Sequence, residues 1–140
     1  MKIMICGSMT FAKEMMDTKR KLENLGHSVF LPSDIESHLK DPFLTDNLDE
    51  NYKHTIDKDV LRQCFNLIAQ SEAILVLNYA KNGIKGYVGT SSLMEIGLAY
   101  YLDKKIFLLN SIPRPKDARW AHEIETIRPV ILNRDLKKIK

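Results

Sequence analysis

Glu95 is the only charged residue in Gly86–Leu102, GYVGTSSLMEIGLAYYL, a stretch otherwise suited to a protein interior. An ionised group taken from water is costly unless paired or hydrogen-bonded, so this carboxylate has either a structural partner or a chemical task. The structural alternative is a capping box. Ser92-Leu93-Met94-Glu95 fits S-x-x-E, in which the acid turns back onto its own helix start. If Thr90 or Ser91 is the cap instead, Glu95 lies about one turn inside and shares the face of Ser91. Asp57 and Asp59 are two further candidate acids, at the start of a predicted helix whose dipole alone would favour them there. His54, just before them, reads as a surface residue. Cys6-Gly7-Ser8-Met9 is a small-residue turn opening a helix, whose free N–H groups can hold a phosphate or a sugar hydroxyl. It lacks both G-x-G-x-x-G and the Walker lysine pattern, which argues against a nicotinamide enzyme or a P-loop NTPase.

These residues need a scaffold, and the apolar pattern predicts one. Ile3–Cys6 reads as a strand and FAKEMMDTKRKLENLG as a helix with Phe11, Met15, Leu22 and Leu25 at helical spacing and Gly26 as its stop. HSVFLP is a second strand, and the polar stretch of about 33–55, with Pro42, a long loop. DKDVLRQCFNLIAQSE is a second helix with Val60, Leu61, Cys64, Leu67 and Ile68 on one side. AILVLN is an all-apolar run of the kind found in parallel strands covered on both faces. A glycine-rich loop, the helix of Glu95, the strand KIFLLN, a helix in DARWAHEIETI and the strand PVIL complete the order. Alternation of strand and helix throughout predicts a single α/β domain over 1–140. Its core is a doubly wound, five-stranded parallel sheet, flavodoxin- or Rossmann-like, with helices on both faces. In such sheets ligands sit beyond the carboxyl ends of the strands. That selects Gly7, Ser8 and Met9 after the first strand, Pro32 onward after the second, Asn78 to Thr90 after the third and Asn110-Ser111 after the fourth, with Glu95 close behind the third of these.

Composition narrows the partners. The chain has 140 residues, 44% of them hydrophobic, with 21 basic against 18 acidic residues and a formal charge of +3. That is enough for one core. No basic stripe with interleaved aromatics is present, so a polymeric nucleic acid is not expected as partner. Cys6 and Cys64 lie in no metal-ligand or CxxC spacing and are expected to be reduced thiols of a cytoplasmic protein. The N-terminal apolar run is too brief for a signal peptide, and no segment is long enough to span a membrane.

Taken together, MICGSM, SEAILVLN and GTSSLMEIGLAYYLDKKIFLL resemble the nucleoside 2-deoxyribosyltransferase family and the related 2′-deoxynucleoside 5′-monophosphate N-glycosidases. The resemblance runs from Lys2 to about Asn110, and its most specific piece is Glu95-Ile96-Gly97-Leu98-Ala99. It implies Glu95 as a nucleophile that forms a covalent deoxyribosyl ester, with Asp57 or Asp59 as the acid near the leaving base. It implies a pocket of Gly7, Ser8, Met9, Asn78, Tyr87, Gly89, Thr90 and Ser91 for a small nucleoside or nucleotide. It implies no metal and no organic cofactor, and a homodimer or larger homo-oligomer. Gly97 and Ala99 would keep the helix slender against the sheet. Where the family carries a tyrosine that bonds the nucleophile, this chain has Met4 and Ile5, with Tyr87 as substitute. Where it carries an aspartate before the third strand, this chain has Cys64. GYVGTSSLME also echoes the G-G-x-G-T-x-x-E loop of phosphoribohydrolases, but with a longer spacing between threonine and glutamate. A nucleotide sensor with the pocket and no chemistry is the alternative of another class.

Overall fold

A computed structural model describes all residues, 1–140, and has the expected strand–helix alternation. Five parallel strands, β1 (Lys2–Cys6), β2 (Ser28–Phe30), β3 (Ala73–Val76), β4 (Lys105–Leu108) and β5 (Val130–Ile131), lie in the order β2-β1-β3-β4-β5. The order reverses between β1 and β3, so a crevice opens at the carboxyl ends of those two strands. Register is continuous across this point, with Ile3–Cys6 paired to Ala73–Val76.

The all-apolar runs of β1 and β3 are buried on both faces, and strict alternation divides their side chains between two cores. Ile3, Ile5, Ala73, Leu75 and Phe107 pack against Met15 and Leu22 of α1 (Ala12–Asn24). Met4, Cys6, Ile74, Val76 and Leu108 face three other helices. These are α4 (Val60–Ala69) through Cys64 and Ile68, α5 (Thr90–Tyr101) through Ile96 and Ala99, and α6 (Ala121–Ile127) through Ile124. Each fully buried aliphatic side chain contributes roughly 1.5–3 kcal/mol, and that packing fixes the strand ends. No helix is long and apolar enough to cross a membrane.

The segment 33–55 is not the expected loop. It holds α2 (Ile35–Lys40) and most of α3 (Leu48–Asp57). Asn47 caps α3 by accepting from the Glu50 N–H, and Asp49 and Glu50 stand at its positive end. The apolar residues of α3, Leu48, Tyr52 and Ile56, recur every fourth position but face solvent. This helix therefore rests on capping and local bonds more than on core burial. The expected helix from Asp57 to Glu72 is broken at Asp59, which takes a left-handed conformation (φ 45°) between α3 and α4. Gly97 is exposed and a Cβ there would meet nothing, so only Ala99 serves the close packing of α5.

Candidate functional site

A cavity of about 280 Å³ opens at the carboxyl ends of β1 and β3. Gly7, Ser8 and Met9 form the wall after β1, and Tyr87, Gly89, Thr90 and Ser91 the wall after β3. The sequence reading had named these seven together. Gly7 has φ 149°, and a Cβ on it would come within 3.2 Å of the Leu77 carbonyl oxygen; a side chain would press the turn off the neighbouring strand.

Asn78 is placed differently. It is buried and does not line the cavity. Its Oδ1 accepts from the Asn110 N–H at 2.8 Å, its Nδ2 donates to the Asn110 carbonyl at 2.7 Å, and the Asn110 Nδ2 donates to the Asn78 carbonyl at 3.2 Å. The side chain clamps the loop after β3 to the loop after β4. Each buried partner left unbonded would cost about 1–3 kcal/mol.

Glu95 is 7% exposed. The helix α5 starts at Thr90 behind Gly89, with no side-chain cap, so the Ser92–Glu95 capping box is not formed. Helical side chains lean toward the N-terminus, which sets Glu95 beneath the turn of Ser91 and Ser92. Those two serines line the cavity; Glu95 lies one turn behind them and is not itself in the lining. Cys6, buried at the end of β1, neighbours the carboxylate and favours its charged form. Tyr87 makes no hydrogen bond to Glu95; its ring meets Trp120 edge-on, with centroids 6.1 Å apart.

Burial raises Glu95 from an ordinary 4.5 to about 7; the Asp34 charge adds to the rise and the neighbouring Cys6 opposes it. The acid is therefore poised to exchange a proton near neutrality. Cys64 lines the cavity and is pushed up to about 12 by burial, then by the charges of Glu95 and Asp34. Burial holds the Cys6 thiol protonated as well, with Glu95 adding to the effect. Both cysteines are free, and neither is an activated thiolate.

Asp57 and Asp59 are not brought to the cavity. Both are exposed, Asp57 at the end of α3 and Asp59 at the break before α4, where it pairs with Arg62 Nε at 2.9 Å. The left-handed residue turns this corner outward. A different group fills the far wall. Asp34 stands at the N-cap position of α2 without bonding its N–H groups, is 7% exposed, and lines the cavity with His38, Thr45, Asn51 and Thr55. His38 Nε2 lies 3.0 Å and His54 Nε2 3.2 Å from Asp34 Oδ2. His54 is thus not the surface residue expected. The available signal was Asp34-x-x-x-His38, one face of a helical turn, hidden because its segment was read as loop. Lys81 was also missed. Its Nζ donates to Ser8 Oγ at 2.8 Å and to Thr10 Oγ1 at 3.3 Å, which places a cation on the cavity wall beside the turn after β1.

Comparison of the sequence with protein-family models gives no match, and comparison with curated proteins gives none.

Proposed function

We propose that the protein cleaves or transfers at the N-glycosidic bond of 2′-deoxynucleosides or their 5′-monophosphates, with Glu95 as nucleophile. The observation that carries this reading is a buried, uncapped carboxylate on α5, directly behind the serine turn of a strand-end cavity. In the reaction a Glu95 oxygen bonds to C1′ as the C1′–N bond breaks. The bonding pair leaves with the base nitrogen, which takes a proton from cavity water. Water or a second base then attacks C1′, the ester C–O bond breaks, and the carboxylate is restored. Positive charge developing on the sugar favours the ionised acid beside it.

A 5′-phosphate suits the first turn of α5, on the same wall of the cavity as Glu95. The first turn of α5 has no side-chain cap, so its N–H groups are free to take an anion, and Lys81 lines the same cavity beside Ser8. The two free thiols suit a cytoplasmic setting. The exposed Tyr100 and Tyr101 at the end of α5 suit a contact between copies in a homo-oligomer.

A panel of deoxynucleosides and their monophosphates, with and without an acceptor base, tests the reading by chromatography of released or exchanged base. Base release from monophosphates is expected, lost in Glu95→Ala; release unchanged in that variant would remove Glu95 from the nucleophile role. Lys81→Met is expected to raise KM for a monophosphate about tenfold, with little change in kcat or in activity on the nucleoside. Equal effects on both substrates would place the phosphate elsewhere. The exposure of Asp57 and Asp59 removes the acids named for the leaving base and favours a second reading, a nucleotide sensor. Saturable binding without turnover in the same panel would establish it.

A further inference from the structure

We infer that Asp34, His38 and His54 bind one divalent transition-metal ion of the zinc class, with an open coordination position facing the cavity. Neither the carboxylate nor the imidazoles are needed by the glycosidic reading, and the site can be read out without turnover.

The donor atoms converge. His38 Nε2, His54 Nε2 and a carboxylate oxygen of Asp34 all lie within 4.8 Å of one another. The two nitrogen–oxygen separations, 3.0 and 3.2 Å, are those of neighbouring corners of a coordination polyhedron. Bonds of about 2.0–2.2 Å put neighbouring ligands roughly 3 Å apart at octahedral angles and about 3.4 Å apart at tetrahedral ones, a few tenths of an ångström beyond the separations here. The imidazole rings stand at 85° with centroids 5.8 Å apart, so they reach the carboxylate from separate directions rather than stacking. Local structure explains the convergence: Asp34 and His38 are one helical turn apart at the start of α2, and α3 carries His54 across to them.

Two further observations point to a ligand. Asp34 Oδ1 is buried and has no hydrogen-bond partner, which is rare for a carboxylate oxygen so enclosed. A cation between the three residues would use that carboxylate's spare lone pairs. In addition, His38 Nδ1 lies 3.3 Å from Thr45 Oγ1. Metal-bound imidazoles usually give their second ring N–H to an oxygen, which orients the ring and leaves the metal-facing nitrogen unprotonated. Without a cation both Nε2 atoms would have to carry hydrogens toward one oxygen.

The donor set selects the metal. Two imidazoles and one carboxylate suit Zn²⁺, Co²⁺ or Fe²⁺, whereas Mg²⁺ and Ca²⁺ prefer all-oxygen shells. Three protein ligands leave a position for water or a ligand oxygen, and Asp34 and His38 already line the cavity that would supply it.

The test uses the full-length, tag-free chain after chelator treatment, titrated with Zn²⁺ by calorimetry and with Co²⁺ by visible absorption. One Zn²⁺ per chain is expected, together with a Co²⁺ spectrum of low coordination number. His54→Gln is expected to weaken Zn²⁺ binding more than about 100-fold, and Thr45→Val, which leaves all three ligands, about tenfold. Thr45→Val also serves if the histidine variant does not fold. The assignment is overturned if the folded wild-type chain shows no saturable Zn²⁺ binding. It is likewise overturned if binding is unchanged in both variants, or if Mg²⁺ competes at equal concentration. None of these results touches base release in the chromatographic assay, so the two proposals fail separately.

Discussion

At pH 8 the Glu95→Gln protein is expected to be more stable than its parent, and inactive. The sign follows from burial. The carboxyl is raised from 4.5 to about 7 in the folded chain, so the unfolded chain gives up its proton first as pH rises. Below pH 4.5 both states hold the proton and burial of Glu95 carries no ionic penalty. Between 4.5 and 7 the folded state alone holds it, and stability falls with pH. Above 7 the full difference is lost, about 3 kcal/mol at 1.36 kcal/mol per pH unit. The groups that bear on Glu95 are Cys6 on β1, Cys64 on α4 and Asp34 at the start of α2; the protein is therefore best compared after chelator treatment, with no cation on Asp34. Gln removes the ionic penalty but leaves an amide nitrogen to satisfy, so a net gain of about 2 kcal/mol is expected, a rise in Tm of roughly 5–10 °C. At pH 4 the gain should vanish. In the same variant base release should fall on the order of 10³-fold, since an amide cannot form the glycosyl ester. Stability gained where activity is lost is the mark of a residue kept for chemistry. If instead Glu95→Gln destabilises the chain at pH 8, the carboxylate is a structural partner and the nucleophile role goes with it.

The parts of this molecule that were legible in the sequence are those whose local pattern and tertiary burial agree. β1 and β3 are all-apolar runs, so their place as doubly covered strands of a parallel sheet was legible, while their pairing with each other came only with the structure; the loops beyond them were among those expected to hold the site. α2 and α3 were not legible: α2 puts Ile35 and Leu39 against the core but is only six residues long, too short for a helical period to show, and in α3 Leu48, Tyr52 and Ile56 keep helical spacing among charges but remain exposed. That one omission concealed the Asp34–His38–His54 cluster, whose spacing has meaning only once 35–40 and 48–57 are helices. Asp57 and Asp59 failed for a backbone reason. A helix starting at Asp57 would have turned one of them toward Cys64, and the left-handed residue at Asp59 ends that geometry. Cys6 was expected only to be a reduced thiol, since nothing in its spacing to Glu95 announces that the two become neighbours at the strand end.

Gly86→Ala is expected to disrupt the site more than any other single methyl addition in the loop after β3. Gly86 has φ 70°, and a Cβ there would lie 1.9 Å from the Ser111 carbonyl oxygen and 3.2 Å from Ile112 Cα. These are backbone atoms, so no side-chain rotation relieves the overlap. Nor can the two loops part freely, because Asn78 holds Asn110, the residue before Ser111, through both its amide atoms. Gly83 provides the control. It has a similar φ of 73° but nothing within 4 Å of an added Cβ, so Gly83→Ala carries only the left-handed penalty of about 1 kcal/mol. Gly86→Ala adds overpacking, for a total of about 3–4 kcal/mol by urea denaturation. Its second effect is on function: Tyr87 and Gly89–Ser91 follow Gly86 directly, so the displaced loop carries the cavity wall and the start of α5 with it. Ligand binding should therefore fall in Gly86→Ala even where the protein remains folded, while Gly83→Ala binds as the parent does. Equal stability losses in the two variants would mean that the loops yield to the added methyl, and that the wall of the cavity is not held by this contact.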